Sequence, residues 1–210
     1  MINVGIIGAG FIGRNHFNQY EKLADRAKVV AICDSIEARR MGDWSNVGGN
    51  IGDAQGSKRD LRGARSLADW RDLIADANVQ LVDICVPTHL HAEMATAALQ
   101  AGKHVLCEKP MALSVEQCDQ ILKVAASAKG RFMIAQCIRF WPEYVFVKKC
   151  IEDQRFGKLK AVNLRRQAST PGYSSNNWLL DPTLSGGGML DLHVHDVDYV
   201  LYILGKPRAV

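Results

Sequence analysis

The sequence predicts an α/β protein in which a doubly wound parallel sheet is followed by the start of a second, α+β domain with a mostly antiparallel sheet. Three observations predict the first part. Short apolar runs alternate with stretches of helical length, as in successive βαβ units. The first run leads directly into a glycine-rich turn, and the second ends in an aspartate at a set distance from that turn. We expect residues 1–137 to form this first domain and residues 138–210 to belong to the second.

The first apolar run, Ile2 to Ile7, predicts a strand buried on both faces. A G-x-G-x-x-G turn separates it from an amphipathic helix, which is the context of the Rossmann fingerprint. In that fingerprint the first glycine permits the tight turn, the second lets backbone N–H groups approach a pyrophosphate, and the third lets the helix pack closely. The alternative is a purely structural turn. The candidate cofactor-binding residues here are Gly8, Gly10, Phe11, Ile12 and Gly13.

The second strand, "KVVAICD", ends at Asp34, 21 residues after Gly13. At that spacing a carboxylate binds the ribose hydroxyls of NAD and repels the 2′-phosphate of NADP. Asp34 is therefore a candidate cofactor-binding residue, and NAD is the favoured cofactor. Arg39 and Arg40 follow closely. They would accept the 2′-phosphate of NADP, so NADP remains an alternative, although one exposed helical turn is the simpler interpretation.

Residues 42–66 are rich in glycine, serine, asparagine and charge, which predicts a long loop. Alternating helices and strands then follow at 66–76, 79–87, 91–102, 104–110, 114–130 and 131–137. Ligands bind at the carboxyl ends of strands in such sheets, and two motifs fall there, "PTHLH" and "EKP". They add Pro87, Thr88, His91, Glu108 and Lys109 to the candidate cofactor-binding residues. We expect His91 to support the cofactor loop rather than to react.

Composition excludes several classes of protein. The 210 residues carry a net charge of +4, and their basic residues form separate groups rather than one dense patch, which argues against a nucleic-acid partner. The longest apolar run is too short for a transmembrane helix, and the N-terminus lacks a basic leader. The six cysteines show no C-x-x-C spacing, and several lie in apolar runs, which predicts small buried side chains in a reducing compartment. We expect a cytoplasmic protein.

The stretch "GGGMLDLHVHDVD" places a glycine joint before a predicted helix over 189–204. At about 100° per residue, Asp191, His195 and Asp198 share one stripe of that helix, and His193 points nearly opposite. Polar groups on a largely apolar helix need partners or a ligand. A satisfied structural network is one alternative. A metal site is another, but we expect none because the two histidines diverge.

Taken together, "GAGFIG", Asp34, "PTHLH", "EKP" and "GGGMLDLHVHDVD" resemble the Gfo/Idh/MocA family of NAD(P)-dependent dehydrogenases of sugars, inositols and related polyols. The resemblance implies hydride transfer between a nicotinamide cofactor and such a substrate, with Lys109, Asp191 and His195 as catalytic and substrate-binding residues. His195 would be the base. Asp191 would orient it and hold a substrate hydroxyl, and Lys109 would stabilise negative charge on oxygen.

Four further residues are candidate substrate contacts: Arg139, Trp141, Tyr173 and Trp178. An aromatic ring can stack on the C–H face of a polyol, while core packing is the alternative role. "KLKAVNLRRQAS" and "PRAV" predict one strand of the second domain and the start of another. Too few strands are present to cover a sheet, so we expect a truncated second domain, and a homo-oligomer (dimer or tetramer) when that domain is complete. The alternative function is a non-catalytic dinucleotide-binding regulator, or a remnant of such an enzyme.

Overall fold

A computed structural model of the chain describes residues 1–50 and 56–209. Within these residues, six strands form one sheet in the order β3-β2-β1-β4-β5-β6, and every neighbouring pair is parallel. The strands are β1 (Ile2–Ile7), β2 (Ala27–Cys33), β3 (Arg65–Leu67), β4 (Leu81–Ile84), β5 (His104–Cys107) and β6 (Phe132–Ile134). This order confirms the predicted doubly wound Rossmann sheet.

Helices connect these strands and continue beyond them. The α-helices are α1 (Phe11–Lys22), α2 (Glu37–Arg40), α3 (Trp70–Ala75), α4 (His91–Gln100), α5 (Val115–Ser127), α6 (Pro142–Glu152), α7 (Pro182–Ser185), α8 (Gly187–Asp191) and α9 (Val194–Leu204). Short 3-10 helices span Thr88–Leu90, Cys137–Phe140 and Ser175–Leu180. Capping side chains explain where two of these helices begin. The side chain of Ser114 accepts a hydrogen bond from Gln117 N at the beginning of α5, and Asp69 caps α3 in the same way.

The sheet is covered on both faces, as a parallel sheet must be. On one face of the sheet, an apolar cluster packs the strands against α3, α4 and α5. This cluster includes Leu73, Leu99 and Ile121. The other lies on the side of α1 and includes Phe17 and Trp44, whose rings meet edge to face. β1 and β4 are neighbours at the centre, and the sheet order changes direction between them. The crevice at their carboxyl ends is therefore the expected ligand site.

Two predictions about the first domain need correction. β3 lies partly inside the segment predicted as a loop. It has only three residues and pairs with β2 alone, so it has no long apolar run that could reveal it. The loop itself is packed more tightly than its polar composition suggests, because Trp44 is fully buried and Val47 nearly so. Residues 51–55 of the predicted loop lie outside the described residues.

The second part of the chain differs more from expectation. Residues 158–169 were predicted as a strand, and that prediction is wrong, since they form no strand in the structure. A strand needs a partner for its backbone groups, and the described residues after β6 offer none. Pro207 to Ala209 likewise form no strand, while Val210 lies outside the described residues. Helix α6 was not predicted.

The single helix predicted over 189–204 is two helices in the structure, α8 and α9, separated by Leu192 and His193. Gly186 and Gly187 precede them with φ angles of 76° and 68°, a left-handed conformation that favours glycine. A sharp turn therefore precedes Asp191, as the glycine joint predicted.

Apolar side chains are much less covered after β6 than before it. Phe140, Phe156 and Met189 are each at least 74% exposed. The buried residues beyond position 140 are few among those described: Ser185, Asp196 and Tyr199. No helix in the described part of the chain has the length and apolar character needed to cross a membrane.

Candidate active site

The glycine turn after β1 is fixed by steric limits. Gly8 has a φ of 92°, and a Cβ atom there would lie 2.6 Å from the carbonyl oxygen of Cys85. A Cβ atom on Gly13 would overlap the carbonyl oxygen of Gly8. Gly10 is different, because the nearest atom to its Cβ position is Arg39 Nη1, 4.0 Å away. Two glycines therefore shape the turn, and Gly10 leaves open space beside the N-terminus of α1.

Asp34 is tied to this turn. Its Oδ2 accepts a hydrogen bond from Ala9 N at 2.8 Å, and its Oδ1 accepts one from Ile36 N at 2.8 Å. A carboxylate can accept about four hydrogen bonds, so both oxygens keep acceptor capacity for a ligand. The carboxylate therefore stands at the carboxyl end of β2, beside the loop that the sequence assigned to a cofactor.

Arg39 and Arg40 are both partly buried, rather than one exposed turn. Arg39 Nη2 donates to Ser175 Oγ at 2.7 Å, and its Nη1 lies 4.0 Å from the Cβ position of Gly10. Arg40 is directed back to the backbone, with Nη1 3.4 Å from Asp34 O and 3.3 Å from Ser35 O. Of the two, Arg39 is the cation that lies nearer the glycine turn.

Phe11 and Ile12 are partly buried at the start of α1. The Phe11 ring meets that of Tyr173 edge to face, with centroids 5.4 Å apart. Burial raises the pKa of Tyr173, and the negative charge of Asp191 adds to this. Tyr173 thus links the glycine turn to the segment that carries Asp191.

The segment after β4 places Thr88 and His91 deep in the protein, each 1% exposed, and Pro87 partly buried. His91 Nδ1 lies 2.8 Å from Pro110 O, and Nε2 lies 2.9 Å from Val86 O. Burial lowers the pKa of His91. These contacts tie the segment after β4 to the "EKP" turn after β5, which agrees with a supporting role for His91.

The carboxyl end of β5 brings Lys109 to Asp191. Lys109 Nζ donates to Asp191 Oδ1 at 3.0 Å and to Asp191 O at 2.7 Å. Asp191 is the last residue of α8, and carbonyls in the last turn of a helix lack intrahelical partners. The break between α8 and α9 therefore frees the carbonyl that Lys109 binds. Both side chains are mostly buried, with exposures of 17% and 22%.

His195 lies in the first turn of α9, where Lys109, Asp191, Glu108 and Arg166 all influence its charge. Its pKa is lowered to about 4, first by burial and then by the positive charges of Lys109 and Arg166. Its Nδ1 is buried without a hydrogen-bond partner among the described residues. The imidazole is therefore neutral at pH 7 and can accept a proton. His193 is nearly half exposed and contacts Asp196 instead.

Three of the predicted substrate contacts show no contact, in the part of the chain that the structure describes, with the site formed by Lys109, Asp191 and His195. Arg139 forms a two-point ion pair with Asp198, with Nε donating to Oδ2 at 2.7 Å and Nη2 donating to Oδ1. Trp141 is 37% exposed, and its ring contacts Tyr144. Trp178 is partly buried in the 3-10 helix before α7. None of these three shows a contact with Lys109, Asp191 or His195 among the described residues.

Sequence reasoning missed a buried ion pair beside the site. Arg166 belongs to one of the separate basic groups of the sequence, yet its side chain is only 19% exposed. Its Nε and Nη2 donate to both carboxylate oxygens of Asp196 at 3.0–3.2 Å, and its Nη2 also donates to Tyr144 Oη at 3.0 Å. Asp196 is 4% exposed. The available signal was the acidic residue next to His195 on an apolar helix, which requires a partner.

A second missed group lies under the glycine turn. His16, Asp83 and Cys85 are close enough that their polar atoms lie within 4.8 Å of one another. Cys33 and Cys107 are buried as predicted, Cys85 is partly buried and Cys137 is exposed, and all six cysteines are free thiols. Burial raises the pKa of Cys85 to about 12, so its thiol is neutral at pH 7.

These features fit a dinucleotide. Gly10 leaves a space that any side chain would fill, and the N-terminus of α1 favours phosphate there. Thr88 Oγ1 and His195 Nδ1 are buried without partners among the described residues, as expected of groups that meet a ligand. The site therefore has an anion-binding end at the glycine turn and a polar end at Lys109.

Comparison with known proteins agrees with this geometry. Residues 2–136 match the family profile described as "Oxidoreductase family, NAD-binding Rossmann fold", and residues 144–210 match the "GFO/IDH/MocA C-terminal domain". The first segment is therefore an NAD-binding Rossmann domain.

Three relatives illustrate the similarity. The levoglucosan dehydrogenase of Pseudarthrobacter phenanthrenivorans is 31% identical, over 100% of this chain and 53% of that protein. The inositol 2-dehydrogenase of Rhizobium meliloti is 30% identical, over 98% and 56%. The WlbA dehydrogenase of Bordetella pertussis, solved in complex with NADH and UDP-GlcNAcA, has a TM-score of 0.80 at 28% identity, over 98% and 56%. The chain spans little more than half the length of these proteins.

Proposed function

The chain belongs to the Gfo/Idh/MocA family of oxidoreductases, and from this premise we propose that it carries the cofactor site and the reacting groups of an NAD-dependent dehydrogenase of a sugar, inositol or related polyol. Two of the relatives named above are a levoglucosan dehydrogenase and an inositol 2-dehydrogenase. The contact between Lys109 and Asp191, beside a neutral His195, is the observation that carries the proposal. A pure binding protein has no need for this set of residues.

Oxidation of an alcohol removes a hydride from carbon and a proton from oxygen, and NAD, when bound, accepts the hydride. The chain's own residues handle the proton. His195 is the proposed acceptor, because its imidazole is neutral and has an unpaired buried nitrogen. The ammonium group of Lys109 stabilises developing negative charge on the substrate oxygen. Asp191 was expected to orient His195, but its Oδ1 and its carbonyl accept hydrogen bonds from Lys109 instead. Asp191 therefore orients Lys109 and holds a neighbouring substrate hydroxyl.

A panel of sugars and inositols, scanned for NADH absorbance, tests the proposal directly. We expect turnover of at least one polyol, and loss of that turnover in Lys109→Ala. NAD binding without turnover of any compound in the panel would instead support the non-catalytic regulator. Tight, salt-sensitive binding to DNA would contradict both.

We expect Asp34→Ala to weaken NAD binding and to relax discrimination against NADP. Loss of hydrogen bonds to a charged group costs about 1.5–3 kcal/mol, or roughly 10- to 100-fold in affinity. Calorimetric titration with NAD and NADP would measure both effects. Asp34→Asn is the matched control: its amide oxygen keeps an acceptor for Ala9 N, while the charge that repels the 2′-phosphate and the acceptor for Ile36 N are removed. Equal NAD affinity in Asp34→Ala would contradict the assignment.

The residues proposed to bind the cofactor are Gly8, Gly10, Phe11, Ile12, Gly13, Asp34, Pro87, Thr88, His91, Glu108 and Lys109. The position of Arg39 near the glycine turn supports NADP as the alternative cofactor. Arg139, Trp141, Tyr173 and Trp178 remain proposed substrate contacts, and Tyr173 is supported by the influence of Asp191 on it. A cytoplasmic location is supported by the free thiols. A homo-oligomer is supported by the exposed apolar side chains after β6.

The proposed domain division lies between residues 137 and 138. It is supported by the change in burial after β6. Limited proteolysis is expected to cut first within 170–185, where a 3-10 helix that is interrupted at Asn176 and Asn177 precedes the short α7, and to leave a stable N-terminal fragment. Uniform resistance of a proven monomer would contradict an independent first domain.

A further inference from the structure

A largely buried histidine, His16, lies between two carboxylates near the glycine turn. His16 belongs to α1, Asp83 to β4, and Glu108 follows β5 directly. His16 Nδ1 lies 2.8 Å from Asp83 Oδ2, and His16 Nε2 lies 3.1 Å from Glu108 Oε1. The Asp83 side chain is fully buried, while those of His16 and Glu108 are 20% and 14% exposed. The contacts join three elements that meet at the candidate active site.

The geometry and the two neighbouring carboxylates together favour the charged form of His16. An ionised carboxylate only accepts hydrogen bonds, so both ring nitrogens must donate, which only the imidazolium form allows. Tyr20 Oη also donates to Asp83 Oδ2, at 2.9 Å. Burial opposes the charge, whereas Cys85, only when it is a thiolate, and the Asp83 carboxylate raise the pKa of His16 above its usual value. Because the Cys85 thiol is neutral at pH 7, the two carboxylates are the partners that matter there.

A bound cation is the alternative for this cluster. His16, Asp83 and Cys85 form a possible three-ligand group within the described residues. Ligand atoms that lie 2.0–2.2 Å from a tetrahedral zinc ion are about 3.3 Å apart, whereas His16 Nδ1 and Asp83 Oδ2 are separated by 2.8 Å. These two atoms are spaced for a direct hydrogen bond. The cluster is therefore a charged network rather than a metal site.

The network reaches the reacting groups through one side chain. Glu108 Oε2 accepts a hydrogen bond from Lys109 N at 3.0 Å, while its Oε1 faces His16. Burial raises the pKa of Glu108, but the hydrogen bond and charge of His16 outweigh it and lower the pKa overall. The backbone that presents Lys109 is thus held by Glu108 on one side and by the contact of His91 with Pro110 O on the other.

We propose that His16, as an imidazolium, is a positioning residue for the reaction, which bridges Asp83 to Glu108 and thereby fixes the backbone that presents Lys109 to the substrate. The role rests on the proposed dehydrogenase function. Removing the bridge leaves two carboxylates without a shared cation, and Glu108 can then leave Lys109 N. Because a displacement of about 1 Å can cost roughly 100-fold in rate, the expected loss is in kcat.

Two amide variants test this proposal. In His16→Gln the amide nitrogen can reach the position of Nε2 and donate to Glu108. In His16→Asn it takes the position of Nδ1 and donates to Asp83 alone. We expect His16→Asn to lower kcat about 10- to 100-fold with little change in KM, and His16→Gln to restore part of that loss. Equal losses in both variants, or none in either, would overturn the positioning role.

A measurement on the unmodified protein keeps the proposal independent of folding defects and of turnover. Nitrogen-15 NMR of the His16 ring is expected to show both nitrogens protonated at pH 8, where an ordinary histidine is neutral. A neutral ring would overturn the proposal even in an active enzyme. A protonated ring in a protein without dehydrogenase activity would overturn the proposed function alone. Stoichiometric zinc binding, abolished by Cys85→Ser, would replace the charged network with a metal site.

Discussion

Replacing His195 with asparagine is expected to reduce kcat about 10²- to 10⁴-fold, the usual contribution of a positioned acid or base. Asparagine keeps a polar side chain of similar size but cannot take up a proton from the substrate. Steady-state kinetics with the best substrate, together with NAD titration, would separate this loss from a loss of binding. His193→Asn is the matched control on the same segment, because His193 is half exposed and contacts Asp196.

The same prediction has a pH signature. Because the pKa of His195 is about 4, the base is lost only as pH falls through about 4, and kcat/KM should be flat from there to neutrality. Lys109→Met removes a positive charge that lowers this pKa, so the acid limb should move upward, toward the usual histidine value, while the rate falls. An acid limb that stays in place would show that another group accepts the proton.

Two glycines three positions apart are expected to respond differently to the same methyl group. In Gly13→Ala the new Cβ atom overlaps a backbone carbonyl, which cannot move like a flexible side chain. We expect a loss of about 1–3 kcal/mol in the free energy of unfolding, as for other overpacked sites, and a loss of NAD affinity because the turn is displaced. Denaturant titration and calorimetry would measure the two effects.

Gly10→Ala is the comparison. Its Cβ atom meets nothing closer than 4.0 Å, and its φ of −75° suits any residue. The free energy of unfolding should change by less than about 0.5 kcal/mol, whereas NAD affinity should fall at least about tenfold because the methyl group blocks approach to the pyrophosphate. Unchanged NAD affinity in Gly10→Ala would mean that the phosphates bind elsewhere.

The sequence was sufficient to predict the features that depend on neighbouring residues, which are the glycine turn and the central strands. The glycine turn depends on Gly8, Gly13 and the adjoining strand, which lie within a dozen residues, although the carbonyl that limits Gly8 belongs to the distant Cys85. The strands at the centre of the sheet are recognisable in the sequence as apolar runs, because both of their faces are buried. Edge strand β3 has no such run, and residues 158–169 have the composition of a strand but no partner among the described residues.

The missed polar contacts have a common cause. Arg166 pairs with Asp196, 30 positions later, and His16 pairs with Asp83, 67 positions later. Arginine, aspartate and histidine are frequent on surfaces, and nothing in the neighbouring sequence marks these for burial. Only the fold shows which members pair. From the sequence, Asp191 and His195 were expected on one continuous helix. In the structure the helix breaks at Leu192 and His193, so Asp191 ends α8 and His195 lies in the first turn of α9.

The position of β1 at the centre of the sheet determines the order in which the protein can fold during synthesis. Val4 pairs with Val29 on one side and with Leu81, 77 positions later, on the other. At about 5–20 residues per second, roughly 4–15 s separate the emergence of β1 from that of β4. During this interval the most buried strand has one open edge, and that edge can pair with a neighbouring nascent chain. Pairing with β2 covers one edge of β1 early, but the other edge stays open to aggregation until β4 has been synthesised and can pair with it.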